Sequence, residues 1–94
     1  MEYLLKNLKV IDLSTVLAGP SVGTFFAELG ADVIKIESPH HSDVTRSWKL
    51  PNEDPKTFIS AYFSSVNFKK KYAQLNLAEQ RDYKTFLKHV ENAD

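Results

Sequence analysis

The segment Val10–Glu37, VIDLSTVLAGPSVGTFFAELGADVIKIE, constrains the fold more than any other part of this 94-residue chain. Leu8–Leu13 (LKVIDL) is a short run that fits a buried strand. Ser14–Gly19 is a connecting loop, and Pro20 suits the first turn of a helix, where its missing N–H costs nothing. Val22, Phe25, Phe26 and Leu29 then fall at i, i+3, i+4 and i+7, the apolar stripe of a helix that faces a core. Gly30 is placed to end that helix in a left-handed conformation. Asp32–Glu37 (DVIKIE) reads as a second strand, stopped by Pro39. Strand, helix and strand in this order make a right-handed crossover between parallel neighbours, the first unit of a doubly wound α/β domain.

The remainder is less regular. Residues 38–57 carry three prolines, two histidines and scattered charge, and read as a long loop. Phe58–Val66 is ambiguous. Phe58/Tyr62 and Ile59/Phe63 pair at i, i+4, which favours a short helix over a strand. Lys71–Leu75 alternates as a third strand should. Asn76 with Glu79 resembles a capping box, opening a helix with Tyr83, Phe86, Leu87 and Val90 on one face. A βα unit should hand over to another strand, so the chain reads as the N-terminal piece of a longer protein.

Composition removes several function classes. Twelve basic residues balance twelve acidic ones, which argues against a nucleic-acid binder. No cysteine is present, so disulfides, thiolate catalysis and cysteine-ligated zinc are excluded. The adjacent His40 and His41 with Asp43 fall short of the three or four converging ligands a metal site needs, and no metal is expected. The start, MEYLLKNLKV, lacks the basic region and long apolar run of a signal peptide, and no stretch is long enough to span a bilayer. A cytoplasmic protein is the expectation.

Chemistry is best placed at the loop before Pro20. A strand–loop–helix turn offers free backbone N–H groups and a positive dipole end, which attract anions. Here the candidates are Leu17 and Ala18, with small residues at Ala18 and Gly19 letting a ligand approach the backbone. A dinucleotide fingerprint is missing, since Gly19 and Gly23 are spaced G-x-x-x-G, although Glu37 ends the second strand at a suitable distance for a ribose. No G-x-x-x-x-G-K-[ST] loop is present. The run Lys69–Lys71 reads either as a partner for ligand phosphates or as a solvated approach to the third strand. Asp43 and Arg46, at i, i+3, suggest a local ion pair.

A series of motifs resembles one enzyme family. They are L-K-V-I-D-L-S at Leu8–Ser14, A-G-P at Ala18–Pro20 and L-G-A-D-V-I-K-I-E at Leu29–Glu37. The D-x-x-R of Asp43–Arg46, N-x-x-K-K of Asn67–Lys71, L-N-L of Leu75–Leu77 and the closing A-D follow in order. Together they resemble the N-terminal part of a class III coenzyme A transferase of the CaiB/BaiF type, a family that includes formyl-CoA transferase and α-methylacyl-CoA racemase.

That resemblance implies a Rossmann-like large domain with a mostly parallel sheet and flanking helices, of which residues 1–94 are the N-terminal portion. It implies an interlocked homodimer for the full-length protein, with acyl-CoA and a carboxylate as substrates and no covalently bound cofactor. Leu17 and Ala18 would line the thioester end of CoA. Leu75, Asn76, Leu77 and Ala78 would contact its nucleotide end. Ser38 matches a position where many members place an arginine against the CoA phosphates. Leu17 stands where the formyl-CoA transferases have glutamine, which argues against oxalate or formate as substrate. The family's nucleophilic aspartate attacks the thioester and passes through a mixed anhydride, covalent catalysis that divides one hard transfer into easier steps. It lies downstream of this chain, as do the His and Asp bases of the racemase branch, so these residues alone are expected to be inactive. The implied activity is acyl-CoA:carboxylate CoA transfer. The alternatives are an α-methylacyl-CoA racemase and a non-catalytic CoA-binding or structural module.

Overall fold

A computed structural model describes residues 4–94. Residues 1–3, which contribute to the signal-peptide reading, lie outside it. The described residues form one three-stranded sheet with helices on it: β1 (Lys9–Asp12), α1 (Ala18–Glu28), β2 (Asp32–Glu37), α2 (Ala61–Val66), β3 (Lys71–Gln74) and α3 (Gln80–Glu91). The order is β1-β2-β3, and both pairings are parallel. Val10 registers with Val33, Asp12 with Lys35, and Lys35 with Tyr72. The α/β class, the three strands and the three helices are thus present as the sequence predicts, with β1 and β3 a residue shorter at their ends, α2 starting three residues after Phe58 and α3 starting only at Gln80.

Helix α1 ends as Gly30 requires. Gly30 has φ 98°, its N–H bonds to the Ala27 carbonyl, and the Ala31 N–H bonds to the Phe26 carbonyl. That pair of bonds is a Schellman closure, which a left-handed residue makes possible. The buried face of α1, however, is not the expected stripe. Val22 and Phe25 are each 58% exposed, whereas Pro20, Gly23 and Ala27 are buried. The helix lies so close to the sheet that only small residues fit beneath it. A Cβ on Gly23 would stand 2.8 Å from Asp12 Oδ2.

The apolar core sits at one end of this interface. Ala27, Ala31 and Val33 form its centre, with Leu5, Leu8, Val10 and Phe26 packed around them. Further along the same face of β2 the side chains change character: Val33, Lys35 and Glu37 are all at most 4% exposed. One end of the sheet is therefore closed by hydrocarbon and the other by charge.

The long loop is more ordered than its composition suggests. Val44–Ser47 forms a 3-10 turn in which the Asp43 side chain accepts from the Thr45 N–H. Ser60 then caps α2, accepting from the Phe63 N–H at 2.9 Å while donating to the Thr45 carbonyl at 2.6 Å. The capping box expected at Asn76 and Glu79 is not formed. Helix α3 begins later, and its start has no side-chain cap on Glu79. Instead Asn76 Oδ1 accepts from the Ala78 N–H at 3.1 Å, and the Asp82 carboxylate accepts from the Asn76 N–H at 2.8 Å. The shorter Asp82 side chain, one turn into the helix, takes the reciprocal role. None of the α3 residues is buried, and Tyr83, Leu87 and Val90 on the expected face are exposed.

Candidate functional site

Each strand runs into a loop at the same edge of the sheet, and three of those loops meet. Leu13 follows β1, Ser38 follows β2, and Leu75–Ala78 follow β3; with Ile36 they line an open cleft of about 340 Å³. The carboxyl edge of a parallel sheet is where such folds bind ligands. Of the expected site residues, the structure brings Ser38, Leu75, Asn76, Leu77 and Ala78 together in this cleft. Leu75 is fixed by donating its N–H to the Glu37 carbonyl at 3.0 Å, and Asn76 by the turn described above. Leu17 and Ala18 do not line the cleft. They stand exposed at the start of α1, at the same edge of the sheet, where no side chain caps the helix.

The smallness of Gly19 has an internal cause. A Cβ there would clash with Ser14 Cβ, so the turn itself requires a residue without one. Val16, in the same turn, has φ 72°, a left-handed conformation that is rare for a β-branched residue.

Among the described residues, three buried ion pairs underlie this edge. Lys70 Nζ lies 2.6 Å from Asp12 Oδ2 and also donates to the Pro20 carbonyl and Asn67 Oδ1, each at 2.8 Å. Lys35 Nζ lies 3.0 Å from Asp43 Oδ2 and donates to the Ser14 carbonyl at 2.8 Å. Arg46 grips Glu37, with one guanidinium nitrogen at 2.7 Å from Oε2 and Nε at 3.2 Å from both oxygens. Its guanidinium carbon also lies 3.9 Å from the Phe63 ring centroid and 4.8 Å from that of Tyr72.

These pairs change three of the readings made from sequence. Asp43 does not pair with Arg46. It turns inward to Lys35, because Glu37 at the end of β2 already occupies Arg46. Glu37 is consequently buried under Arg46 and the Asp43 N–H and does not face a ribose. The Lys69–Lys71 run is split by strand alternation. Lys70 is buried against Asp12, while Lys71 pairs with Asp32 at 3.0 Å on the opposite, solvated face.

Burial pushes the Asp12 carboxyl up, but hydrogen bonds from Lys70 and Ser14 outweigh it and leave the group below the usual carboxylate range. Asp43 behaves alike: burial raises it, and hydrogen bonds from Thr45 and Lys35 more than offset the rise. Burial holds Lys70 below its ordinary value despite Asp12 beside it. No buried side-chain polar atom among the described residues lacks a partner, so these charges are fully engaged in the protein. The sequence places Lys35 and Asn67 in motifs without giving either a role, and does not mark Thr45 at all. The available signal was a lysine and a glutamate on one face of an otherwise apolar strand, in a sheet whose faces are covered.

Among the described residues no three metal-ligating side chains converge, and no helix is long and apolar enough to cross a membrane.

Comparison with known proteins agrees with this architecture. Residues 5–94 match the family described as CoA-transferase family III. A succinyl-CoA:mesaconate CoA-transferase of Haloarcula marismortui is 38% identical over 90 residues, covering 96% of this chain and 23% of the relative. An acetyl-CoA:oxalate CoA-transferase of Acetobacter aceti is 45% identical over 88 residues, covering 94% and 22%. The crystal structure of a CAIB/BAIF family protein from Brucella suis superposes with a TM-score of 0.87 at 35% identity, over 100% of this chain and 25% of that one. The chain spans about a fifth of the length of the curated relatives it matches.

Proposed function

The chain belongs to CoA-transferase family III, and on that premise we propose that its protein moves coenzyme A between an acyl-CoA and a free carboxylate. The observation that carries this reading is the convergence of Leu13, Ser38 and Leu75–Ala78 in one cleft at the carboxyl edge of the sheet. The nucleotide end of CoA lies along Ser38 and Leu75–Ala78. The thioester end reaches Leu17 and Ala18 at the uncapped start of α1, where the helix dipole favours developing negative charge. Ser38 offers a hydroxyl where many members carry an arginine, so the phosphates are held more weakly at that point. These residues bind and orient. The attacking carboxylate is supplied by a part of the protein outside these 94 residues.

In this reading residues 1–94 are the N-terminal portion of the large CoA-binding domain, and the full-length protein is an interlocked cytoplasmic homodimer. Succinyl-CoA, named for the Haloarcula relative, and acetyl-CoA, named for the Acetobacter relative, are the acyl donors to try first. Calorimetric titration of the full-length protein with CoA, followed by incubation of succinyl-CoA with a panel of carboxylic acids, tests it. A new acyl-CoA detected by mass spectrometry supports the assignment. Epimerisation of a 2-methylacyl-CoA without transfer moves the protein to the racemase branch. CoA binding with neither reaction leaves a binding module.

A further inference from the structure

We propose that Lys35 and Asp43 are positioning residues for the Ser14–Ala18 turn, holding it in the shape that presents Leu17 and Ala18 to an acyl-CoA; this rests on the CoA reading above. Val16, in the middle of that turn, is a β-branched residue at φ 72°. Such a conformation persists only where the surroundings hold it, and it clusters at ligand sites. The two charged side chains grip the turn at the strained residue and just before it. Lys35 Nζ takes the Ser14 carbonyl at 2.8 Å, and the Asp43 carboxylate takes the Val16 N–H at 3.3 and 3.4 Å.

The grip is itself rigid. Lys35 and Asp43 lie 3.0 Å apart with side chains 1% and 0% exposed. Asp43 Oδ1 also accepts from the Thr45 N–H and Oγ1 at 3.1 and 2.8 Å, and the Asp43 N–H donates to Glu37 Oε1 at 2.6 Å. Asp43 is held below the usual carboxylate range and is charged at neutral pH. A buried ion pair is a poor device for stability alone, since an apolar pair of similar volume often does as well or better. What an apolar pair cannot do is supply a donor for Ser14 and an acceptor for Val16.

The test uses the full-length protein with the pair replaced by hydrocarbon, Lys35→Met with Asp43→Leu. Hydrogen–deuterium exchange is read without ligand, beside thermal melting and CoA titration. We expect a lower melting transition, because the buried Thr45 N–H and hydroxyl lose their acceptor, so the deciding reading is the local exchange. Exchange within residues 14–18 should be faster, and CoA affinity weaker, by about tenfold, the size of one lost hydrogen bond to a charged group. Exchange in the strands should rise less than exchange within residues 14–18. Exchange at 14–18 equal to the unmodified protein's overturns the proposal. Should the double variant not fold, Asp43→Asn decides by the same exchange reading, because it keeps the shape and removes the charge. Failure of the unmodified protein to bind CoA overturns the ligand reading alone, since the exchange experiment needs no ligand.

Discussion

Lys70 and Asp12, 58 residues apart in the chain, meet at 2.6 Å in the space left by the missing side chain of Gly23. Their contact joins β1 to the start of β3 across the end of α1, and it explains why that helix needs a glycine on its buried face. Removing one member of a buried pair leaves the other charge unpaired, which costs roughly 3–5 kcal/mol. Lys70→Met and Asp12→Ala should each lower the unfolding free energy from a denaturant melt by an amount in that range. A change below about 1 kcal/mol would mean that water reaches the pair.

Gly19→Ala places a methyl group against Ser14, whose hydroxyl and N–H both donate to Asp12 Oδ1. The turn must shift or Ser14 must leave Asp12. The expected loss is about 1–3 kcal/mol in a chemical melt, as for other overpacked sites. Adding Ser14→Gly to the same chain should recover part of it, because the clash is with that side chain.

Acid should unfold the protein through Asp12 and Asp43. Both carboxyls lie below their ordinary range when folded. Their contribution is therefore present above the unfolded value, about 3.9, and disappears as pH falls through the folded values. Stability measured by urea melts should hold from neutrality to about pH 5 and then decline. An Asp43→Asn protein should lose less of its own stability over that acid range. Equal acid slopes for the two proteins would remove Asp43 from the account.

Arg46→Lys keeps a positive charge but not the fork on Glu37 or the guanidinium contact with the Phe63 and Tyr72 rings. A loss of about 1–3 kcal/mol is expected, since partners of a buried carboxylate are left unsatisfied. The measurement is a thermal melt of the variant, and an unchanged midpoint would show that a point charge suffices.

Ala18→Phe should weaken CoA binding by roughly 5- to 150-fold, the equivalent of about 1–3 kcal/mol of steric cost. Ala18 is exposed, so the melting temperature should stay put while the calorimetric affinity falls. Unchanged affinity would place the thioester end elsewhere.

Much of this was legible in the chain. Pro20 and Gly30 mark the ends of α1 because each has a backbone preference that acts locally. The strand Asp32–Glu37 reads correctly from its alternation and its stop at Pro39. The cleft was legible only by resemblance, since nothing local says that Ser38 and Asn76 are neighbours. What remained hidden were pairings between distant segments. Nothing near Asp12 announces Lys70, and the spacing of Asp43 and Arg46 suggests a contact that Lys35 and Glu37 pre-empt. The stripe Val22, Phe25, Phe26 and Leu29 misleads for a related reason. Hydrophobic spacing assumes that a helix buries its largest residues, but here close approach to buried charges admits only Pro20, Gly23 and Ala27.

The topology of the sheet also sets a timetable for the chain leaving the ribosome. Every strand pair is parallel, so none can zip up from a local turn, and such sheets form slowly. β1 must wait for β2, and Asp12 must wait for Lys70, its carboxylate meanwhile in water. A half-synthesised sheet thus carries a free charge where the finished one carries a closed pair.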